Sequence, residues 1–299
     1  VYVNLGEFIM TRELLIKMAR DVISHGKANT IAKADDFYKM PSSVYFDKKR
    51  NQDEKNLIFK RIPIVLGPSA EIPNVGDFKT MDIVNTPIII SRTKDGSVKG
   101  FMNTCMHRGS PITFEETGNT MRFTCPYHGW TYNNDGKLMG IASENDFGDV
   151  DKECFNLISF PVYERAGIIW GILNPNSGVD FDSFIQDYDS MISHFGFENW
   201  SLFAKRTISG PNWKAGYDGY LDIYHVPVLH KNTFGPNTSN RPLYYSWGPH
   251  QRVCTVSLSK DKDRATLGYM SDLVDLEEKD WDIDTLLYGV WTCLLYTSP

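Results

Sequence analysis

From about Arg61 to Asn174, apolar and polar residues alternate in short runs, IPIVLG, FKTMDIV, PIIISR, SVKGFMN, MRFTC and AGIIWGILN, separated by turn-forming residues. A period of two puts successive side chains on opposite faces of a pleated strand, so this stretch predicts a small antiparallel β domain. Asp95-Gly96 and Asp135-Gly136 predict hairpin turns, because glycine tolerates the positive φ that a two-residue loop requires. On either side the period changes. In TRELLIKMARDVISH, directly after Met10, the residues Leu14, Leu15, Met18 and Val22 share one face of a helix, and Met10 itself is a candidate start. Past the loop Asn174-Pro175-Asn176-Ser177-Gly178, the residues Phe184, Ile185, Tyr188, Met191, Ile192 and Phe195 recur at intervals of three and four, as one buried helix face demands. Three regions are expected: a helix and lead-in over 1–60, the β domain over 61–174, and an α+β domain over 175–299.

Composition narrows the class. Hydrophobic residues make up 41% and aromatics 13% of 299 residues, enough to fill the cores of two ordinary domains without covalent staples. The net charge of −6 is mild and Lys48-Lys49-Arg50 is the only basic run, which gives nucleic-acid binding no support. No apolar stretch approaches the roughly 18–20 residues that cross a bilayer, and the first residues lack the order of a signal peptide. A cytoplasmic protein that engages neither nucleic acid nor membrane is expected. Five cysteines, an odd number, argue against a disulfide framework, so Cys105 and Cys125 need another account. Cys154, Cys254 and Cys293 read as small apolar side chains.

That account lies in two boxes, CMHRG at 105–109 and CPYHGW at 125–130. Each offers one thiol and one imidazole at the end of a predicted strand, and two such loops facing one another bring Cys105, His107, Cys125 and His128 together. Two thiolates on one iron and two imidazoles on the other is the ligand set of a Rieske-type [2Fe–2S] cluster. The same four donors also suit a tetrahedral zinc ion, although zinc boxes more often pair like ligands. Gly109 and Gly129 are expected to let the backbone pass close to the sulfurs.

A second constellation occupies PNWKAGYDGYLDIYHVPVLH, residues 211–230. With Asn212 as helix N-cap, Asp218, Asp222 and His225 fall at i, i+4 and i+7 on one face. Pro227 ends or bends that helix just after His225, so that His230 can return to the same centre.

Together the two sets, cluster boxes first and D-x-x-H-x-x-x-x-H preceded by NWK second, resemble the α subunits of Rieske non-haem iron ring-hydroxylating oxygenases, from roughly Phe37 to Gln251. The loops carry Arg108-Gly109-Ser110 and Pro126-Tyr127 where respiratory Rieske proteins carry an extra disulfide-forming cysteine, so the resemblance is to the oxygenase class, with a potential towards the lower part of the Rieske range. The resemblance implies an α+β fold, with an N-terminal antiparallel β domain for the [2Fe–2S] cluster and an incomplete helix-grip type catalytic domain of antiparallel sheet and helices. It implies that His225 and His230 are two ligands of a mononuclear Fe(II) in a 2-His-1-carboxylate triad. Asp222 matches the aspartate that links His225 to His128 of a neighbouring subunit, and Asp218 a near-iron position. It implies hydroxylation of an organic, by default aromatic, substrate with O2, as in aromatic hydrocarbon catabolism, and a homotrimer or α3β3 assembly. Electrons would come from a separate reductase, with or without a ferredoxin, so that NAD(P)H acts only indirectly, because the chain has no Gly-rich dinucleotide fingerprint.

The family's third iron ligand is a carboxylate far downstream of the histidine pair. The acidic stretch with Asp272, Asp275, Asp280, Asp282 and Asp284 lies too early for it, and the closing CLLYTSP reads as a translated sequencing adapter. The third ligand is therefore expected beyond a cut, and the fragment as given is expected to be inactive. Two rivals from other classes are a Rieske electron-transfer protein without oxygenase activity and a zinc-stabilised binding module. His25, His194 and His250 receive no role.

Overall fold

The computed structural model describes residues 2–4, 12–233, 235–237, 239–255, 273, 275–287 and 290–292. The chain opens with strand β1 (Tyr2–Asn4) and helix α1 (Arg12–Ala28), both part of a unit completed much later in sequence. By contacts there are two units: one holds 1–47, 181–194 and 208–297, and the other holds 48–180 and 195–207 with the last two residues. The predicted β domain, 61–174, falls wholly inside the second unit, which also takes in α2 (Lys48–Glu54) and the 195–207 segment. The N-terminal helix belongs instead with the late part of the chain.

The second unit is built from short strands, as the alternation predicts. In chain order these are β2 (Ile64–Pro68), β3 (Asp77–Asp82), β4 (Pro87–Arg92), β5 (Val98–Met102), β6 (Thr117–Asn119), β7 (Arg122–Thr124), β8 (Thr131–Asn133), β9 (Leu138–Gly140), β10 (Ser159–Phe160), β11 (Val162–Arg165) and β12 (Ile168–Gly171). They form a five-stranded sheet in the order β10-β5-β4-β3-β6 and two three-stranded sheets, β11-β12-β2 and β7-β8-β9, and every pairing is antiparallel. β4 is central, and its Ile88, Ile89, Ile90 and Ser91 are all buried; a run of β-branched residues suits a strand covered on both faces. Gly96 and Gly136 turn with φ of 85° and 84° at the two predicted hairpins. One core of Phe78, Ile89, Phe101, Phe123, Trp130 and Tyr132, among others, also contains Cys105 and Cys125, so the two thiols sit on the hydrophobic interior.

In the first unit the predicted helix over 181–195 is two shorter ones, α3 (Phe181–Ile185) and α4 (Tyr188–Ile192). Gln186 and Asp187 between them take φ of 45° and 62°, which stops the helix while leaving Ile185, Tyr188, Met191 and Ile192 buried on a common side. Phe195 is exposed and lies in the other unit. Later come α5 (Trp213–Leu221), α6 (Val226–Leu229), β13 (Leu243–Trp247), β14 (His250–Cys254) and β15 (Val290–Thr292). The sheet runs β1-β13-β14-β15, antiparallel except that β1 lies parallel to β13. α1 buries Leu15, Met18, Ala19, Val22 and Ile23, and the Tyr245 hydroxyl on β13 donates to the Met18 carbonyl at 3.2 Å. His250 is buried, bonded through Nε2 to the Phe184 carbonyl at 2.8 Å and stacked on Tyr188. Burial holds its pKa down at about 4. Among the described residues no helix is long and apolar enough to cross a membrane.

Candidate metal centres

The two cysteine boxes fold into the same local shape. In the first, the Cys105 amide donates to the Ser110 carbonyl at 2.8 Å and the Gly109 amide returns to the Cys105 carbonyl at 2.9 Å. In the second, the Cys125 amide donates to the Trp130 carbonyl at 2.8 Å and the Gly129 amide to the Cys125 carbonyl at 3.0 Å. The second loop is the tip of the β7–β8 hairpin, closed by the Thr124–Thr131 pair, and the first follows β5. The backbone does pass close to the sulfurs, with the His107 amide on Cys105 and those of Tyr127 and His128 on Cys125. A Cβ on Gly109 would meet nothing within 4 Å, and what needs glycine is the positive φ, 76° at Gly109 and 70° at Gly129.

These turns aim the four donors inward as two pairs. Cys105 and Cys125 are free, buried thiols hydrogen-bonded to each other. His107 and His128 stand edge to face with ring centroids 4.7 Å apart. Burial pushes the Cys105 thiol up. Burial also acts on Cys125, but the amides of Tyr127 and His128, with Cys105 and the Ser110 hydroxyl, outweigh it and bring that thiol below its ordinary value, so Cys125 is the readier thiolate. The His107 pKa is lowered by burial and by the nearby His128 and Arg108. Its Nδ1 is buried and finds no hydrogen-bond partner among the described residues, a condition costing about 1–3 kcal/mol unless the nitrogen has another use. A thiol pair facing an imidazole pair with an orphaned ring nitrogen fits a [2Fe–2S] cluster with two thiolates on one iron and two imidazoles on the other. Among the described residues, no three of His, Cys, Asp and Glu gather around one ion-sized point.

Tyr132 adds a contact that reading the boxes alone did not single out. Its hydroxyl accepts from the Met106 amide at 3.1 Å and lies 3.4 Å from Cys105 Sγ, so its own proton is left to point at the sulfur. The signal was there to find: a tyrosine on the inward face of the hairpin, paired with Phe123, needs a partner for its hydroxyl.

In the second constellation Asn212 does cap α5, its side chain accepting from the Lys214 amide at 3.0 Å. The single stripe of Asp218, Asp222 and His225 does not form. α5 stops at Leu221 because Asp222 turns extended, φ −80° and ψ 102°, and accepts the Tyr224 amide at 2.8 Å on Oδ1, a local turn that competes with the helix. Pro227 then sits in the first turn of α6, where a missing amide proton costs nothing, rather than breaking a longer helix after His225. The turn still gathers three of the four residues. Asp222 Oδ2 is 3.1 Å from His225 Nδ1, and the His225 and His230 rings are 5.4 Å apart. Asp218 stands apart, exposed and accepting from the Tyr45 hydroxyl at 2.5 Å, while Asn212 Nδ2 holds the Tyr45 carbonyl at 2.8 Å. Asp275, Asp280 and Asp282 are described and exposed. Asp272 and the side chain of Asp284 lie outside the described residues.

Residues 63–159 match the family model described as Rieske [2Fe-2S] domain, and 197–296 the one described as ring hydroxylating alpha subunit (catalytic domain). The glycine betaine monooxygenase oxygenase subunit of Pseudomonas aeruginosa (strain UCBPP-PA14) is 29% identical over 204 residues, covering 68% of this chain and 47% of that protein. The large oxygenase component of the 2,4-dinitrotoluene dioxygenase system of Burkholderia sp. (strain RASC) is 34% identical over 195 residues, covering 62% and 43%. Naphthalene 1,2-dioxygenase from Rhodococcus sp. superposes with a TM-score of 0.56 at 26% identity, over 76% of this chain and 51% of that one. A quaternary ammonium Rieske monooxygenase shares the fold with a TM-score of 0.67 at 23% identity, over 74% and 62%. The chain thus spans about half the length of the relatives it matches. With a Rieske [2Fe-2S] domain followed by a ring hydroxylating alpha subunit catalytic domain, the chain belongs to the family of Rieske oxygenase α subunits.

Proposed function

We propose that this chain acts in the oxygenase component of a Rieske non-haem iron system that hydroxylates an organic substrate, by default an aromatic one. When bound, the [2Fe–2S] cluster supplies one-electron storage and a mononuclear Fe(II) supplies O2 activation. Cys105 and Cys125 would hold one iron of the cluster, His107 and His128 the other, and His225 and His230 the mononuclear iron. The observation that carries this reading is the gathering of Asp222, His225 and His230 at the end of α5, on the same chain as the cluster loops. A carrier of electrons alone has no use for a second histidine pair.

Asp222 orients His225 by accepting from Nδ1, which leaves the opposite nitrogen for metal. Its side chain is half-exposed, and it would reach His128 of a neighbouring copy in a homotrimer or α3β3 assembly, since His128 lies at a loop tip beside exposed Pro126 and Tyr127. Asp218, held by Tyr45, would shape the surroundings of the iron site. A separate reductase, with or without a ferredoxin, would deliver electrons, and a cytoplasmic location goes with free rather than paired cysteines.

Iron and acid-labile sulfide analysis, with absorption and EPR spectra, tests the reading. A cluster signal plus one further iron per chain, the latter lost in His225→Ala, is expected. Zinc without sulfide, or a cluster with no additional iron site, would refute it.

A further inference from the structure

The two imidazoles of the cluster site have unlike surroundings. His107 lies parallel to the indole of Trp130, centroids 4.9 Å apart and planes 7° from coplanar, and Phe147 meets it edge-on at 6.1 Å. Trp130 is buried and is itself packed edge-to-face with Phe155 at 5.4 Å and Phe147 at 6.2 Å, while its ring lies parallel to His107. His128 instead meets Tyr127, tilted by 33° and 59% exposed, with the Arg108 guanidinium over the far part of that ring. Both imidazoles are half-buried, but His107 has its Nδ1 buried and lies on a buried indole, whereas His128 lies against an exposed phenol.

The choice of tryptophan at position 130 carries a burden. Its Nε1 is buried and finds no acceptor among the described residues, a burden that phenylalanine or leucine would not bring. A hydrophobic core alone gives no reason to tolerate it. A broad, flat, electron-rich face laid against an imidazole does, because no hydrogen bond among the described residues fixes the buried edge of that ring.

We propose that Trp130 is a positioning residue of the cluster site, whose indole face sets the ring plane of His107 and holds the reduction potential down by excluding water and presenting π density to that ligand. The proposal rests on the assignment of His107 as a cluster ligand. The sign follows from charge. Two thiolates balance the oxidised [2Fe–2S] core, and reduction leaves one net negative charge, which water stabilises and an electron-rich ring face opposes.

The test compares Trp130→Phe, Trp130→Leu and chains carrying 5-fluoro- or trifluorotryptophan placed at position 130 alone, which keep the shape while draining the ring face of electron density. Iron and sulfide content and the wild-type EPR spectrum first establish the cluster, and failure there sinks the ligand assignment rather than the role of Trp130. With the cluster loaded, the potential is expected to rise with each added fluorine and again in the leucine variant, whose EPR g-values also spread, while phenylalanine stays near the wild type. A potential indifferent to fluorination overturns the proposal even if the leucine variant does not fold. So does a loaded leucine variant with wild-type g-values and potential.

Discussion

Replacing Tyr132 by phenylalanine removes one oxygen from a fully buried ring and leaves its packing in place. That oxygen receives the Met106 amide proton, and to a Cys105 thiolate holding iron, which has no proton of its own, it can only donate. The sulfur carries more negative charge after reduction, and the donor therefore favours the reduced state. If the difference between oxidation states is about 1 kcal/mol, the middle of the range for one hydrogen bond, the potential without it falls by about 40 mV, since a tenfold change in a one-electron equilibrium, about 1.4 kcal/mol, is 59 mV. The measurement is an EPR-monitored redox titration of Tyr132→Phe and wild type, matched for iron and sulfide. A potential at or above that of the wild type would show that the hydroxyl proton does not point at the sulfur and would refute the reasoning.

Asp222→Asn keeps the shape at His225 and loses the charge, so both metals are expected to load while single-turnover product formation drops by about 10–100-fold; an unchanged yield would make Asp222 a surface residue. Asn212→Ala removes the N-cap of α5 and should destabilise that helix by about 1 kcal/mol, seen as faster amide exchange over 216–221 with the cluster spectrum unaltered. His250 refuses in the folded state a proton that the unfolded chain accepts near 6.5, so unfolding takes up a proton and acid favours it. Stability is then expected to fall as pH drops from about 6.5 to about 4, by on the order of 3 kcal/mol, and urea titrations should show this component vanish in His250→Gln.

The cluster site was legible in sequence because its ligands come from two local turns, each complete within six residues, so spacing alone carries the geometry. The strands of the β domain were legible for a similar reason, as in PIIISR, where β-branched residues declare a buried strand. The second site was read in its parts and misread in its frame. Asp218, Asp222 and His225 keep helical spacing, yet a carboxylate that bonds the backbone two residues on ends the helix, and periodicity is blind to that competition. The break at Gln186 and Asp187 was hidden in the same way, because the bend preserves the buried side on which the pattern is written. Tyr132 and His250 escaped notice because their partners, Cys105 and the carbonyl of Phe184, lie 27 and 66 residues away.

The alternation of chain between the two units orders their birth. Everything the cluster unit needs, save the last two residues, has been made once residue 207 has been added, with Phe197 and Glu198 in place against Gly167. The other unit must wait for Val290–Thr292, the strand that pairs with β14, although α1, with the Leu15, Met18 and Val22 it will bury, precedes the whole cluster unit in the chain. At roughly 5–20 residues per second, translation leaves an interval on the order of 10 s between residue 207 and β15, in which α1 has no complete sheet to lie on. The apolar side of α1, with Leu15, Met18 and Val22, therefore stays without its own sheet until β13, β14 and β15 have followed it in synthesis.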